Sequence, residues 1–168
     1  MLRFSFSDVI GFVALLLAVV LMALGKAGKL RGRADVMEIL PRIGLGPLQF
    51  GMTPSQVKTL LGSHRTYEPW MGGNLNDCLL YPGLIIFFDE CDGSGPLPDS
   101  KLVGFRMQGR ADVTLLNKPV FGMPRKELLQ TLAQQDIRTR SGGYDFRDLH
   151  MEVDFDEQGN VDWVEFWD

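Results

Sequence analysis

The sequence predicts an α+β domain of two similar halves behind a hydrophobic N-terminal segment, and three observations carry that reading. First, a unit occurs twice: GPLQFGMTPSQVKTLLG (46–62), LIIFFDE (84–90) and KLVGFRM (101–107) answer NKPVFGMPRKELLQTLA (117–133), LHMEVDFDE (149–157) and NVDWVEFW (160–167). Met52 and Met123 lie 71 residues apart and Asp89 and Asp156 lie 67 apart, so the register is held. A repeat of this kind signals stacked copies of one supersecondary unit sharing a core. Second, each copy has a short helical pattern after an aromatic-Gly-Met step. Third, the strand candidates alternate with period 2.

The N-terminal segment comes first. Val9 to Gly25 is a run of 17 residues without charge; as a helix it reaches roughly 25 Å, near the lower limit for crossing a bilayer. A cleaved signal peptide has Ala23 and Gly25 in its favour. Against cleavage, the basic cluster Lys26, Lys29, Arg31 and Arg33 follows the run, and such residues are retained on the cytoplasmic side. The expectation is a transmembrane anchor over 8–25, a basic linker over 26–42, and a cytoplasmic α+β domain over 43–168 on the inner membrane, its halves at about 44–110 and 115–168.

In the first half, Thr53 is the candidate N-cap, Pro54 suits the first helical position, and Gln56 completes a capping box. Val57, Leu60 and Leu61 form the apolar face and Gly62 the stop. Cys78–Tyr81 and Leu84–Phe88 flank a Pro82-Gly83 turn that sets Cys78 opposite Phe87, and Leu102–Met107 follows. Asp92 to Ser100 forms a longer loop of the surface kind. Cys91 then falls roughly 13 Å from Cys78, too far for a disulfide. In the second half a helix begins at Pro124 with Leu128, Leu129 and Leu132 inward. Leu149, Met151, Val153 and Phe155 alternate with polar residues; the chain turns at Asp156–Asn160 and returns through Val161–Trp167. By period 2, Trp163 and Trp167 share a face with Val161, and one or both belong to the core.

Charge is unevenly spread. Residues 1–33 carry a net +4 and residues 145–168 a net −8, with Asp145, Asp148, Glu152 and Asp154 opening the acidic stretch. That face repels nucleic acid and attracts basic partners. Asp154 to Glu165 matches a calcium-loop spacing except at Gln158, but an EF-hand requires an entering helix and the approach alternates like a strand. A hairpin turn explains the same letters. His64 and His150 have no metal-ligand spacing with the cysteines. No nucleophile elbow, zincin motif or phosphate-binding glycine loop is present, so neither catalysis nor a cofactor is expected. Tyr67, Trp70 and Met71, in a Gly- and Pro-containing loop, are candidate binding anchors.

The Gly-Leu-Gly-Pro-Leu-Gln-Phe-Gly-Met-Thr opening, the helix ending Leu-Leu-Gly, and the repeated Phe-Asp-Glu hairpin resemble a broad group of helix-on-sheet repeats. That group includes the tandem-repeat β-lactamase inhibitory proteins, the single-repeat small outer-membrane lipoproteins of the OmlA type, and some immunity proteins of bacterial toxin systems. The resemblance spans roughly residues 44–167 and implies a protein-binding scaffold. No lipid-attachment Cys is present near the N-terminal segment. The functional expectation is therefore a non-enzymatic, membrane-anchored module binding a protein with a basic surface, an immunity-type inhibitor of a basic toxin, with Tyr67, Trp70, Met71, Asp145, Asp148, Glu152 and Asp154 at the interface. A membrane-anchored envelope or assembly factor is the alternative.

Overall fold

A computed structural model describes residues 36–64, 78–110 and 112–168. Strands dominate it, and they form two sheets over one core. Strands β1 (Met37–Leu40), β2 (Gly44–Leu45) and β3 (Leu48–Gln49) lead into helix α1 (Pro54–Leu61). Strands β4 (Cys78–Tyr81), β5 (Leu84–Phe88) and β6 (Leu102–Gln108) follow. The second half runs β7 (Val113–Leu115), β8 (Lys118–Pro119), α2 (Arg125–Thr131), β9 (Ile137–Arg140) and β10 (Gly143–Phe146). A 3-10 turn (Arg147–Leu149) then precedes β11 (Met151–Phe155) and β12 (Val161–Trp167).

This corrects the expected fold class. The helices have only eight and seven residues, and a second sheet of five short strands, ordered β3-β2-β1-β7-β8, stands beside the meander. Its central strand, β1, comes from residues assigned to the linker, because its inward positions Met37 and Ile39 are buried. It pairs antiparallel with β2 and parallel with β7. The described fold contains no helix long and apolar enough to cross a membrane. The anchor expected over 8–25 lies outside the described residues, and none of the described helices supplies it.

The larger sheet is antiparallel, ordered β4-β5-β6-β12-β11-β10-β9. The last strands of the two halves, β6 and β12, meet at its centre, so the meanders lie on either side of an approximate two-fold. The repeated letters make repeated hydrogen bonds. Gly51 N–H donates to the Leu102 carbonyl at 2.9 Å, and Leu102 N–H to the Met52 carbonyl at 2.8 Å. In the second half Gly122 N–H donates to the Val161 carbonyl at 2.9 Å, and Val161 N–H to the Met123 carbonyl at 2.8 Å. The Gly-Met step thus fastens the last strand of each half at its start. Its glycines have φ of +83° and +79°, a left-handed conformation that a Cβ disfavours. The Phe-Asp-Glu aspartates act alike: Asp89 Oδ1 accepts from Lys101 N–H at 2.6 Å, and Asp156 Oδ1 from Asn160 N–H at 2.8 Å.

Helix α1 starts as its letters require, with the Thr53/Gln56 capping box closed at both ends. Val57 is buried and Leu61 packs on the core, but Leu60 is exposed. In α2, Leu128 is buried and Pro124 is the N-cap, without a side-chain bond. The turn after β4 sets Cys78 opposite Phe87, in the expected register. One core takes the inward residues of both sheets and both helices; buried Phe105 and Phe166 stack with ring centroids 5.0 Å apart, and the partly buried Phe50 packs on both at 5.5 and 5.9 Å.

Two bulges decide which way the last strands face. Between β11 and β12, Asp154 opposes Trp163 and Phe155 opposes Val161, leaving Asp162 as the extra residue. Between β5 and β6, Phe87 opposes Gly104 and Phe88 opposes Leu102, leaving Val103 extra at the equivalent place. An extra residue inverts the alternation beyond it. Val161 therefore points into the core, whereas Trp163 and Trp167 point to the opposite face. Placing the tryptophans in the core was wrong for this reason.

Candidate functional site

The face of the larger sheet turned away from the core carries an ordered array of charged and aromatic side chains. Residues opposed in an antiparallel ladder share a face. One row therefore runs Arg140, Gly143, Asp154, Trp163, Gln108, and the next Arg138, Asp145, Glu152, Glu165, Arg106, Ile85, Leu80. A third contains Trp167, Gly104, Phe87 and Cys78. The β4–β5 end is apolar, with Cys78, Leu80 and Ile85 buried and Phe87 packed against them.

At the centre Trp163 is flanked by two guanidinium groups. Arg106 lies 5.3 Å from its ring centroid and Arg140 5.4 Å, both within cation–π range. Arg106 also covers Phe87 at 5.4 Å, and its Nε donates to Glu165 Oε2 at 2.6 Å. Arg140 starts two strands away, on β9, and crosses β10 at Gly143. It reaches Asp154 Oδ1 at 2.8 Å and Glu152 Oε2 at 3.3 Å. The approach to Asp154 is close but poorly aimed for a hydrogen bond, so it holds as an ion pair. Gly143 is what opens the route: a Cβ there would sit 2.3 Å from Asp154 Oδ1 and 1.9 Å from the Val153 carbonyl oxygen.

At the edge of this face, Trp167 stacks on His150, with ring centroids 6.2 Å apart and planes at 23°. His150 Nε2 lies 2.9 Å from Arg42 Nη2, on the turn after β1.

Of the residues nominated from sequence, Asp145, Glu152 and Asp154 come together on this face. Asp148 does not join them; its Oδ2 accepts from Asp136 N–H at 3.1 Å and fastens the 3-10 turn to the start of β9. Tyr67, Trp70 and Met71 lie outside the described residues. The calcium-pattern residues are spread along β11, its turn and β12, with Asp154 held by Arg140 and Asp156 closing the turn. Among the described residues no cluster of three metal-ligating side chains occurs. Sequence reasoning missed Trp163, Trp167, Arg106 and Arg140. No signal in the sequence singles them out, because the extra residue at Asp162 is visible only against the opposing strand and the two arginines are brought to Trp163 by strand pairing.

The acidity of the C-terminal stretch is answered in part within the molecule. Glu152, Asp154 and Glu165 each face an arginine of the same sheet. Without those arginines, the directly opposed Glu152 and Glu165 would repel.

No family model, curated protein or solved structure matches the chain.

Proposed function

We propose that the protein is a non-enzymatic protein-binding module that docks its partner on the outer face of the larger sheet, and that it acts as an immunity-type inhibitor of a basic toxin. The observation that carries this reading is Trp163, partly buried on the face away from the core and flanked by Arg106 and Arg140. Tryptophan and arginine are the side chains most enriched where binding energy concentrates. Both arginines are already held by carboxylates, so little side-chain freedom remains to be lost on association. Trp167 and Phe87 extend the same apolar strip. Asp145, Asp156 and Glu157 supply an acidic surround, which favours a partner with a basic rim and speeds encounter.

The test is to isolate partners with the wild-type chain and measure their affinity directly against Trp163→Ala. Truncating a central anchor costs about 2 kcal/mol or more, so affinity should fall roughly 30-fold. Charge reversal at Asp145 and Glu157 should slow association and flatten its dependence on salt. A partner held equally by wild type, Trp163→Ala and the charge-reversed chain would move the interface elsewhere.

A further inference from the structure

We infer that His150 is a proton-operated latch between the β1–β2 turn and the edge of the larger sheet. The geometry assigns its state. A guanidinium has donors only, so the 2.9 Å contact with Arg42 Nη2 requires a lone pair on His150 Nε2. The neutral ring then carries its proton on Nδ1, an atom that is buried and has no hydrogen-bond partner. Protonation at Nε2 replaces the acceptor with a donor and sets two cations against each other. The contact exists for the neutral ring alone.

What the latch holds is equally specific. Arg42 and His150 both have left-handed backbones, at φ 60° and 48°, a conformation non-glycine residues keep when their surroundings impose it. The Arg42 turn displays Leu40 and Ile43, 37% and 54% exposed. The parallel register of β1 with β7 brings exposed Leu116 to the same end of the five-stranded sheet. The charged groups on the elements around the ring are Arg42 on the β1–β2 turn, Arg147 and Asp148 in its own turn, Glu152 on β11, Glu165 on β12 and Asp168 beyond it. β6 brings Val103 and Gly104 to that end of the sheet. An imidazolium keeps its attraction for the Trp167 ring while losing Arg42. Acidification therefore frees the apolar turn and leaves Trp167 in place.

The experiment is amide hydrogen exchange by NMR on the full chain, with the His150 ring resonances followed in the same samples from pH 7.5 to 5. Protection at Ile43, whose N–H donates to the Leu40 carbonyl at 2.9 Å, should fall at least fivefold in step with the His150 titration. In His150→Gln, an amide oxygen accepts from Arg42 at every pH and the fall should vanish. Arg42→Gln provides a second variant, because its amide can donate to the neutral ring and accept from the charged one; the fall should vanish there too. A wild-type turn whose protection stays constant while His150 titrates, a ring that stays neutral to pH 5, or an equal fall in both variants would overturn the latch.

Discussion

Replacing Gly143 by alanine tests the outer-face architecture at its narrowest point. The added Cβ would lie 1.9 Å from the Val153 carbonyl oxygen and 2.3 Å from Asp154 Oδ1. A carbon and an oxygen need about 3.2 Å, and backbone cannot swing aside, so β10 must move roughly 1.3 Å from β11. A shift of that size breaks the adjacent ladder bonds, two at about 1 kcal/mol each. It also closes the route of Arg140 to Asp154, a partly exposed pair contributing about 0.5 kcal/mol. Against this stands about 0.5 kcal/mol gained from the lower entropy of the unfolded alanine chain. The net loss is about 2 kcal/mol. In urea, with slopes of about 1–3 kcal/mol/M, the unfolding midpoint should fall by roughly 1–2 M. Gly104→Ala is the matched control, since it lies on the same face and its Cβ would meet nothing closer than 3.5 Å. It should be neutral or slightly stabilising. If the two variants unfold within about 0.5 kcal/mol of each other, the close crossing of β10 and β11 is not as described.

Other outcomes follow from the same contacts. Thr53→Ala removes the closed capping box of α1 and should cost about 1 kcal/mol in urea unfolding. Leu116→Gly should stabilise by about 1 kcal/mol, because Leu116 holds φ 52° in an exposed turn; a loss of stability would show that the leucine packs. Asp89→Ala and Asp156→Ala, which remove equivalent bonds to Lys101 and Asn160, should each cost about 1 kcal/mol, and unequal losses would break the equivalence of the halves. Burial raises the Tyr81 hydroxyl above its ordinary 10.0 while it donates to the Gly62 carbonyl at 3.0 Å. Its contribution is therefore complete below pH 10 and lost as pH rises through the folded-state value, a loss that Tyr81→Phe should not show in alkaline unfolding.

The sequence by itself determined whatever depends on neighbours along the chain. The Thr53 cap, the Gly62 stop, the Pro82-Gly83 hairpin with Cys78 opposite Phe87, and the paired Gly-Met and Asp turns are all settled within a few residues. There backbone angles and local hydrogen bonds discriminate among the amino acids, so the letters suffice. Tertiary structure decided the rest. Met37–Leu40 is a strand because β2 and β7 offer it partners on both sides, one of them some 76 residues away, and four residues carry too little pattern to announce it. The outward turn of Trp163 and Trp167 depends on one extra residue at Asp162, which is visible only against the opposing strand. Arg140 reaches Asp154 and Trp163 because Gly143 lies between them, a conjunction of four strands. Of the acidic residues singled out from sequence, Asp145, Glu152 and Asp154 share the candidate face, but the arginines facing them come from strand pairing. Short-range geometry is written residue by residue, whereas the face of a sheet is a property of its register.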